Sequence, residues 1–290
     1  MIITNRLNLP QPLVSMCESD YTAAPNEYRV TSLLKSTREV VLERRHSAEI
    51  EQDVSDMIWL LFGTAAHTVL ENHDTGAGQI KETRISMNVG DNVGDCILTG
   101  KPDLYDSNRQ CVIDYKTASV WKIIYGNYED WRRQLLAYAV MLDANGHPCT
   151  SGEIVAMLKD HSKRDAKFKP DYPRLPVHVQ KFKFSENDIA EGREWIQKRI
   201  AEIRAMEGIS DANLPLCTDE ERYNSGTKYA VMAKGKKRAL RVLDSHTDAY
   251  EWMTKNGGDS IEERKGEDKK CLDYCSVAPF CSYWKEHYSE

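Results

Sequence analysis

Two carboxylates and one amine lie in two short segments that have the composition of neighbouring strands. The segments are GKPDLYD (100–106) and VIDYKTAS (112–119), and they carry Asp103, Asp114 and Lys116. Alternate residues of a strand share a face, so Asp114 and Lys116 should project together. Asp103 belongs to the preceding predicted strand, and the short turn between the segments suits an antiparallel pair. Carboxylate oxygens suit Mg²⁺ or Mn²⁺, and a nearby lysine can position or help to deprotonate a water molecule aimed at phosphorus.

This short pattern has a simpler interpretation as an exposed ion pair on an edge strand, because PD…DxK is degenerate. Two helical pairs accompany it, His67 with Glu71 upstream and Gln134 with Tyr138 downstream, each four residues apart on one helix face. A lone helical histidine is more often a core or surface residue, and Gln134 and Tyr138 could reflect helix amphipathicity alone. The order of the four patterns along the chain is more informative than any one of them.

That order, G-x-x-x-H, PD, D-x-K and Q-x-x-x-Y between Gly63 and Tyr138, resembles the PD-(D/E)xK nuclease superfamily. The similarity is closest to the branch containing the RecB and AddB nuclease domains, the CRISPR-adaptation nucleases and phage exonucleases. The resemblance implies metal-dependent hydrolysis of DNA phosphodiester bonds. It implies metal ligands at His67, Asp103, Asp114 and the carbonyl of Tyr115, a catalytic Lys116, and Gln134 and Tyr138 as organisers of water and phosphate. Asp114 stands where glutamate is commoner in the family motif. Glu71 and Glu82 are candidate outer ligands of the metal.

The elements that would position these residues follow from the periodicity of the apolar side chains. The sequence predicts helices over 33–46, capped by Thr31 or Ser32, 56–73, capped by Ser55, 128–143, 186–207 and about 249–253. It predicts strands over 79–89, 95–106, 109–119, 153–158, 177–184, 229–232 and 238–243. This order predicts an α/β protein with a mixed central sheet flanked by helices, and it fits the restriction-endonuclease-like αβββαβ core that the resemblance implies.

The composition changes after Met206, which divides the chain into two predicted domains. Residues 1–206 form the nuclease core with an N-terminal helical region, and residues 207–290 form a hairpin and a cysteine-bound module. The charged stretch IEERKGEDKK (261–270) is interpreted as a loop that leads into the cysteines.

Three of the eight cysteines, Cys271, Cys275 and Cys281, fall within eleven residues, which in a reducing compartment favours a metal site over disulfides. A fourth soft ligand would complete an iron–sulfur or zinc site. The nuclease branch named above often carries a [4Fe–4S] cluster on such a triplet plus one distant cysteine, although its spacing is commonly x2 and x5, not the x3 and x5 found here. We favour Cys217 over Cys17 as the fourth ligand, because Cys217 belongs to the same module. The cluster would be structural, with zinc as the alternative.

The formal net charge is −6, and 41% of the residues are hydrophobic, which indicates a globular chain. No apolar stretch is long enough for a membrane span and no signal peptide is evident, so we expect a cytoplasmic protein of a bacterium or a phage-infected host. Basic clusters nevertheless offer contacts to DNA, and the best candidate is the KGKKR tip of the C-terminal hairpin. Aromatic residues that follow the second strand could stack on bases or pack under the sheet; they are Trp121, Tyr125, Tyr128 and Trp131.

The preferred hypothesis is a metal-dependent deoxyribonuclease, an exonuclease of phage or mobile-element type that acts on linear duplex or single-stranded DNA ends in recombination or processing. A helicase or recombination protein is a conceivable partner, because the chain has no phosphate-binding loop of its own. A non-catalytic DNA-end-binding adaptor and a restriction-type endonuclease are the alternatives. The choice between Mg²⁺ and Mn²⁺, the polarity of cleavage and the oligomeric state stay open.

Overall fold

A computed structural model describes residues 1–17, 23–73, 75–81, 83–90 and 94–289. The strands are β1 (Ile2–Thr4), β2 (Glu27–Arg29), β3 (Glu51–Asp53), β4 (Gln79–Lys81), β5 (Ile85–Asn88), β6 (Ile97–Gly100), β7 (Leu104–Asp106), β8 (Cys111–Ala118), β9 (Ser151–Leu158), β10 (Val177–Lys183), β11 (Lys228–Met232), β12 (Arg241–Leu243) and β13 (Ser260–Arg264). The helices are α1 (Gln11–Cys17), α2 (Val30–Leu33), α3 (Thr37–Arg45), α4 (Ile58–Glu71), α5 (Val120–Tyr125), α6 (Glu129–Ala144), α7 (Lys163–Phe168), α8 (Glu186–Ala205), α9 (His246–Asn256), α10 (Lys269–Asp273) and α11 (Ser282–Tyr288). Among the residues so described, no helix is both long and apolar enough to cross a bilayer.

The chain forms two compact units. The first consists of residues 1–35 and 48–208, and the second of residues 36–47 and 209–290. The sequence analysis placed the domain boundary near residue 207 but kept 36–47 with the core. The predicted helix over 33–46 is in fact two helices, because Ser36, and not Thr31 or Ser32, accepts the capping hydrogen bond from Glu39 N–H at the start of α3.

The first unit contains a five-stranded mixed sheet in the order β10-β9-β8-β7-β4. Strands β8 and β9 are parallel, and the other neighbours are antiparallel. β8 and β9 lie at the centre and are buried along much of their length, as expected for apolar runs such as CVI and IVAM. The predicted α/β class with a mixed sheet is thus confirmed.

Helix α6 packs on β8 and β9 of this sheet, and α8 packs on α6. The middle of α6 is buried from Gln134 to Leu142. α8 packs closely on α6 because residue 192 is a glycine: a Cβ there would lie 3.0 Å from side-chain atoms of Leu136 and Val140. Ser185 caps the start of α8 and forms a capping box with Asp188.

The predicted strand over 95–106 is two strands that belong to different sheets. β6 joins β2 and β5 in a three-stranded sheet, whereas β7 joins the central sheet. The break falls at Lys101–Asp103, where Pro102 has no N–H group to continue a ladder. Likewise the predicted strand over 79–89 is divided into β4 and β5. These breaks matter for function because Asp103 stands immediately before β7.

The second unit is built on a three-stranded antiparallel sheet in the order β12-β11-β13. The hairpin β11–β12 was predicted, but β13 was not, because its sequence SIEER was interpreted as part of a charged loop. β13 is an edge strand whose charged side chains face solvent, so alternation of apolar residues gave no indication of it.

Candidate active site

The register of β7 and β8 brings the two acidic residues of the PD…DxK pattern side by side. Leu104 pairs with Ile113 in this antiparallel ladder, so Asp103, one residue earlier, comes beside Asp114. The backbone N–H of Tyr115 donates to Asp103 Oδ2 at 2.7 Å, which fixes this carboxylate against the edge of β8. The expected antiparallel pair is therefore present, although Asp103 precedes the strand.

Asp114 and Lys116 project from the same face of β8, as strand alternation requires. Lys116 Nζ lies 2.6 Å from Asp114 Oδ2, and the amide of Gln134 on α6 donates to Asp114 Oδ1 at 3.2 Å. Asp114 is only 3% exposed, and burial raises the pKa of its carboxyl while the charge of Lys116 opposes that rise. The pair is therefore not the exposed edge-strand ion pair of the simpler interpretation.

His67 reaches the same carboxylate cluster from α4. Its Nδ1 lies 3.0 Å from Asp103 Oδ1, and this hydrogen bond raises the pKa of the imidazole above its usual value. α4 packs beside β8 with Gly63 facing Thr117, where an added Cβ would make an ordinary contact 3.4 Å from Oγ1. Met57, and not Ser55, occupies the position before α4, since the hydroxyl of Ser55 bonds Asp53.

Tyr138 and Gln134 lie one turn apart on α6 and are both buried. The phenol oxygen of Tyr138 is hydrogen-bonded by the side chain of Gln134 and the backbone of Lys101, and burial raises its pKa above the usual value. Its ring packs on Gly100, where a Cβ would stand 2.7 Å from the ring atom Cε1. Tyr138 is thus both a core residue and a neighbour of the carboxylate cluster.

The residues predicted as metal ligands form a network of two groups that meet on β8. In one group His67 bonds Asp103, and in the other Asp114 contacts Gln134 and Lys116. Within the described part of the chain, no three His, Cys, Asp or Glu side chains are grouped closely enough to hold a single metal ion. The donor set itself, two carboxylates and an imidazole, is of the kind that binds Mg²⁺ or Mn²⁺. Asp114 Oδ2 is buried and, apart from its ion pair with Lys116, has no hydrogen-bond partner, so it is the oxygen most available to a cation.

A cavity of about 460 Å³ opens beside this network, lined by Trp59, Leu60, Gly63, Thr64, His67, Thr68, Glu71, Lys101, Asp103 and Thr117. Glu71, a candidate outer ligand, is part of this lining and lies 3.4 Å from Lys101 Nζ. Glu82, the other candidate, lies outside the described residues. The sequence analysis did not single out Trp59, Leu60 or Lys101, because the apolar run around Trp59 is typical of a core helix.

The four cysteines of the C-terminal module line a second, small cavity of about 30 Å³ inside the second unit. They are Cys217, Cys271, Cys275 and Cys281, and all four are free thiols. Burial raises the pKa of Cys271 to about 11 and that of Cys275 to about 12. The buried guanidinium of Arg38 donates to Cys281 Sγ at 3.2 Å, and Cys217 Sγ donates to Ser36 Oγ at 3.2 Å.

Cys17, the other candidate for the fourth ligand, has a different setting in the first unit. It is 4% exposed and packs with Val54, Met57 and Leu61. It therefore has the surroundings of a small core residue. A donor set of four thiols on one cavity is chemically suited to an iron–sulfur cluster or zinc.

Some of the basic and aromatic residues predicted to contact DNA are exposed, and others are buried. Lys237, Arg238 and Arg241 line an open groove of about 590 Å³ at the β11–β12 hairpin of the second unit. Of the four aromatic residues, Trp121 and Tyr125 are exposed, whereas Trp131 is buried and stacks on Tyr128. Arg38, the first residue of another basic stretch, is not available for a contact with DNA, because it is buried and donates to the carbonyl of Leu214.

Solved structures that resemble the chain do so distantly. The structure of SSO0001 is 18% identical, with a TM-score of 0.45, and the match covers 62% of this chain and 78% of that chain. An alkaline exonuclease from Laribacter hongkongensis is 12% identical, with a TM-score of 0.37 and coverage of 63% and 90%. A phage-related exonuclease from Haemophilus somnus 129PT is 12% identical, with a TM-score of 0.28 and coverage of 59% and 74%. No curated protein matches the sequence.

A family model gives a stronger result. The model of the PD-(D/E)XK nuclease superfamily matches residues 61–219, more than half of the chain. The matched region includes β7, β8 and α6 and therefore the whole carboxylate and lysine network. The chain belongs to the PD-(D/E)XK nuclease superfamily.

Proposed function

We propose that the protein is a metal-dependent deoxyribonuclease that acts as an exonuclease on DNA ends. The observation that carries this proposal is the convergence of Asp103, Asp114 and Lys116, with His67 and Gln134, on one network beside an open cavity. A family fold without this network would not support hydrolysis. The preference for an exonuclease rests on the resemblance of the motif order to the RecB-like and phage exonuclease branch.

In this proposal His67, Asp103, Asp114 and the carbonyl of Tyr115 hold a Mg²⁺ or Mn²⁺ ion. When bound, such an ion neutralises charge on the scissile phosphate and makes a coordinated water more acidic. Lys116, on the same strand face as Asp114, positions the attacking water or receives its proton. Oxygen of that water bonds to phosphorus as the phosphodiester P–O bond breaks, so one product carries a phosphate and the other a hydroxyl group.

Gln134 and Tyr138 are positioning residues in this scheme. The amide of Gln134 holds Asp114 Oδ1, which leaves Oδ2 directed at Lys116. Tyr138 is hydrogen-bonded to Gln134 and to the backbone of Lys101, and so connects α6 to the segment that precedes Asp103. Loss of either residue should misplace the carboxylate without removing a ligand.

The test uses linear and circular DNA with Mg²⁺ or Mn²⁺, and then with chelator. Degradation of linear DNA alone supports the exonuclease, whereas cleavage of closed circles would identify the restriction-type endonuclease instead. Metal-independent binding without cleavage would identify the non-catalytic adaptor. Asp114→Ala should abolish cleavage with the fold retained, while Asp130→Ala, at an exposed carboxylate paired with Lys122, should leave cleavage unchanged.

The second part of the proposal is that Cys217, Cys271, Cys275 and Cys281 hold a structural [4Fe–4S] cluster, with zinc as the alternative metal. The support is that all four thiols line one cavity of the second unit. The preference for the iron–sulfur cluster over zinc rests on the resemblance to the nuclease branch that carries such a cluster on a cysteine triplet and one distant cysteine. Bound metal would contribute folding free energy to a unit with few large apolar residues.

Iron, sulfide and zinc analysis of anaerobically prepared protein tests this assignment. Cys217→Ala and Cys275→Ala should lose metal and lower the thermal midpoint, whereas Cys17→Ala should keep the full metal content. Retention of metal by Cys217→Ala together with its loss in Cys17→Ala would move the fourth ligand to Cys17. Wild-type protein without iron or zinc would refute the cluster altogether.

A further inference from the structure

Several large aromatic side chains near the carboxylate network are exposed, although their sequence predicts a core helix. On α4, Trp59, Leu60 and Phe62 are each 60% exposed. On α5, Trp121 is 55% and Tyr125 is 77% exposed. Burial of apolar side chains of this size is favourable, so a cluster left in water indicates a surface that something else covers.

The exposed residues of α4 belong to the same cavity as the candidate catalytic groups. Trp59 and Leu60 line the cavity that also contains His67 and Asp103. Trp59 and Phe62 contact each other edge to face, with ring centroids 6.4 Å apart. A ligand bound at His67 and Asp103 would therefore lie near the aromatic side chains of Trp59 and Phe62, which precede His67 by about one to two turns of α4.

The exposed residues of α5 follow directly from the strand that carries Asp114 and Lys116. β8 ends at Ala118, Ser119 caps α5, and Trp121 and Tyr125 then stack with centroids 5.8 Å apart. Lys159 connects this region to α4, because its N–H donates to the carbonyl of Ala118 and its Nζ lies 4.3 Å from the ring of Trp59. Trp121 and Tyr125 are thus linked to the end of β8 through Ser119, and Trp59 is linked to it through Lys159.

We propose that Trp59, Phe62, Trp121 and Tyr125, named here the aromatic shelf, bind the unpaired bases of the DNA strand whose phosphate is cleaved. Every base has a π face, so stacking on aromatic side chains holds single strands without regard to sequence. Lys159, whose ammonium lies over the ring of Trp59, places a cation on the shelf for a neighbouring phosphate. The proposal rests on the proposed nuclease function and specifies its substrate, which is single-stranded DNA or a duplex end with unpaired bases.

A protein partner fits this position less well than a nucleic acid strand. Trp59 of the shelf and its neighbour Leu60 line the cavity beside Asp103, so a protein seated on them would close the entrance to the candidate catalytic groups. A strand of DNA, in contrast, must pass over this entrance to present a phosphate. The occupant we infer is therefore the substrate itself.

The experiment measures the affinity of fluorescein-labelled oligo(dT) and of a blunt duplex in chelator, where no cleavage occurs. Trp59→Ala and Tyr125→Ala should each weaken oligo(dT) binding about 5- to 100-fold, the range for loss of one stacked base, and change duplex binding less than about 2-fold. Trp59→Phe should retain most of the affinity because it keeps a π face. Tyr250→Ala is the matched control, because Tyr250 is 58% exposed on α9 and lies outside the shelf.

Oligo(dT) affinity in Trp59→Ala and Tyr125→Ala equal to that of Tyr250→Ala would overturn the proposal. An equal loss of affinity for the duplex and for the single strand would also overturn it. So would variants that change the oligomeric state in sedimentation but keep their affinity for DNA, because the shelf would then be a contact between copies of this chain. Because binding is measured without metal, the result is separable from the nuclease assignment. A protein that binds oligo(dT) through the shelf but cleaves nothing with metal would leave the shelf standing and refute the proposed function.

Discussion

Replacing Lys116 with methionine should destabilise the metal-free protein, because it leaves the buried carboxylate of Asp114 without a cation. Methionine keeps the length and volume of the side chain but has no charge. Lys116 Nζ lies 2.6 Å from Asp114 Oδ2, and the other oxygen of Asp114 is bound only by the neutral amide of Gln134. Among the residues that the structure describes, Lys116 is the ion-pair partner of Asp114, so its replacement leaves the carboxylate without one.

The size of the effect follows from the burial of the pair. Removing one partner of a buried ion pair typically costs about 3–5 kcal/mol. The side chain of Lys116 is 27% exposed whereas that of Asp114 is 4% exposed, so water can partly replace the ammonium and the carboxyl can take up a proton. We therefore expect a cost below that range, about 2–3 kcal/mol, which corresponds to a fall of roughly 4–12 °C in the thermal midpoint of a unit of this size.

The assay is thermal unfolding in chelator, with Lys122→Met as the matched control. Lys122 Nζ lies 2.7 Å from Asp130 Oδ1, but the Asp130 side chain is 56% exposed, so losing this pair should cost less than about 1 kcal/mol. The double variant Asp114→Asn/Lys116→Met removes both charges. It should recover most of the stability lost in Lys116→Met, since no uncompensated carboxylate is then left in the interior.

Two results would refute this reasoning. One is a midpoint for Lys116→Met that falls no further than that of Lys122→Met. The other is a double variant that is no more stable than Lys116→Met, since the carboxylate would then not be the source of the cost. Cleavage should be lost in both variants at position 116, so the recovery of stability is independent of activity.

Three further outcomes are expected. Burial raises the pKa of Asp268, but hydrogen bonds from Asn224, two tyrosines and Arg222 outweigh it and lower the pKa below the usual 3.8. The charged carboxylate therefore stabilises the second unit above pH 3.8. This stabilisation is lost as the pH falls through the lowered pKa. Asp268→Asn should cost about 2–4 kcal/mol in urea unfolding at pH 7, with a difference from wild type that shrinks below pH 4. Gly100→Ala should reduce kcat/KM at least tenfold, because the new methyl group displaces Tyr138, whose ring atom would lie 2.7 Å away. Lys237→Glu should weaken DNA binding and reduce the slope of log Kd against log salt by about 0.9.

Matched controls exist for these three variants. Asp244→Asn changes an exposed carboxylate and should leave the urea midpoint unchanged at either pH. Gly208→Ala adds a methyl group where no atom lies within 4 Å and should leave kcat/KM unchanged. Lys255→Glu, on the exposed face of α9, should leave the salt slope unchanged. Equal effects in a variant and its control would contradict the corresponding prediction.

The pattern of residue types along the chain was sufficient to identify the chemistry of the site. Strand alternation placed Asp114 and Lys116 on one face, and the 2.6 Å contact between them confirms it. Helical spacing placed Gln134 beside Tyr138, and both lie at the network. These relations are local, within a few residues of one element, and local geometry follows from the backbone period alone.

The remaining features of the fold depend on contacts between residues that are far apart in the chain. Pro102 divides one apparent strand between two sheets, the edge strand β13 has no apolar alternation, and α3 belongs to the second unit despite its position in the chain. The exposure of Trp59 and the common cavity of the four cysteines are also properties of tertiary structure. Composition and periodicity indicate which side chains favour burial. Which of them are buried depends on the tertiary contacts that the rest of the chain provides. Residue types and their spacing therefore predicted the family and its candidate site, and packing decided which surfaces around that site stay exposed.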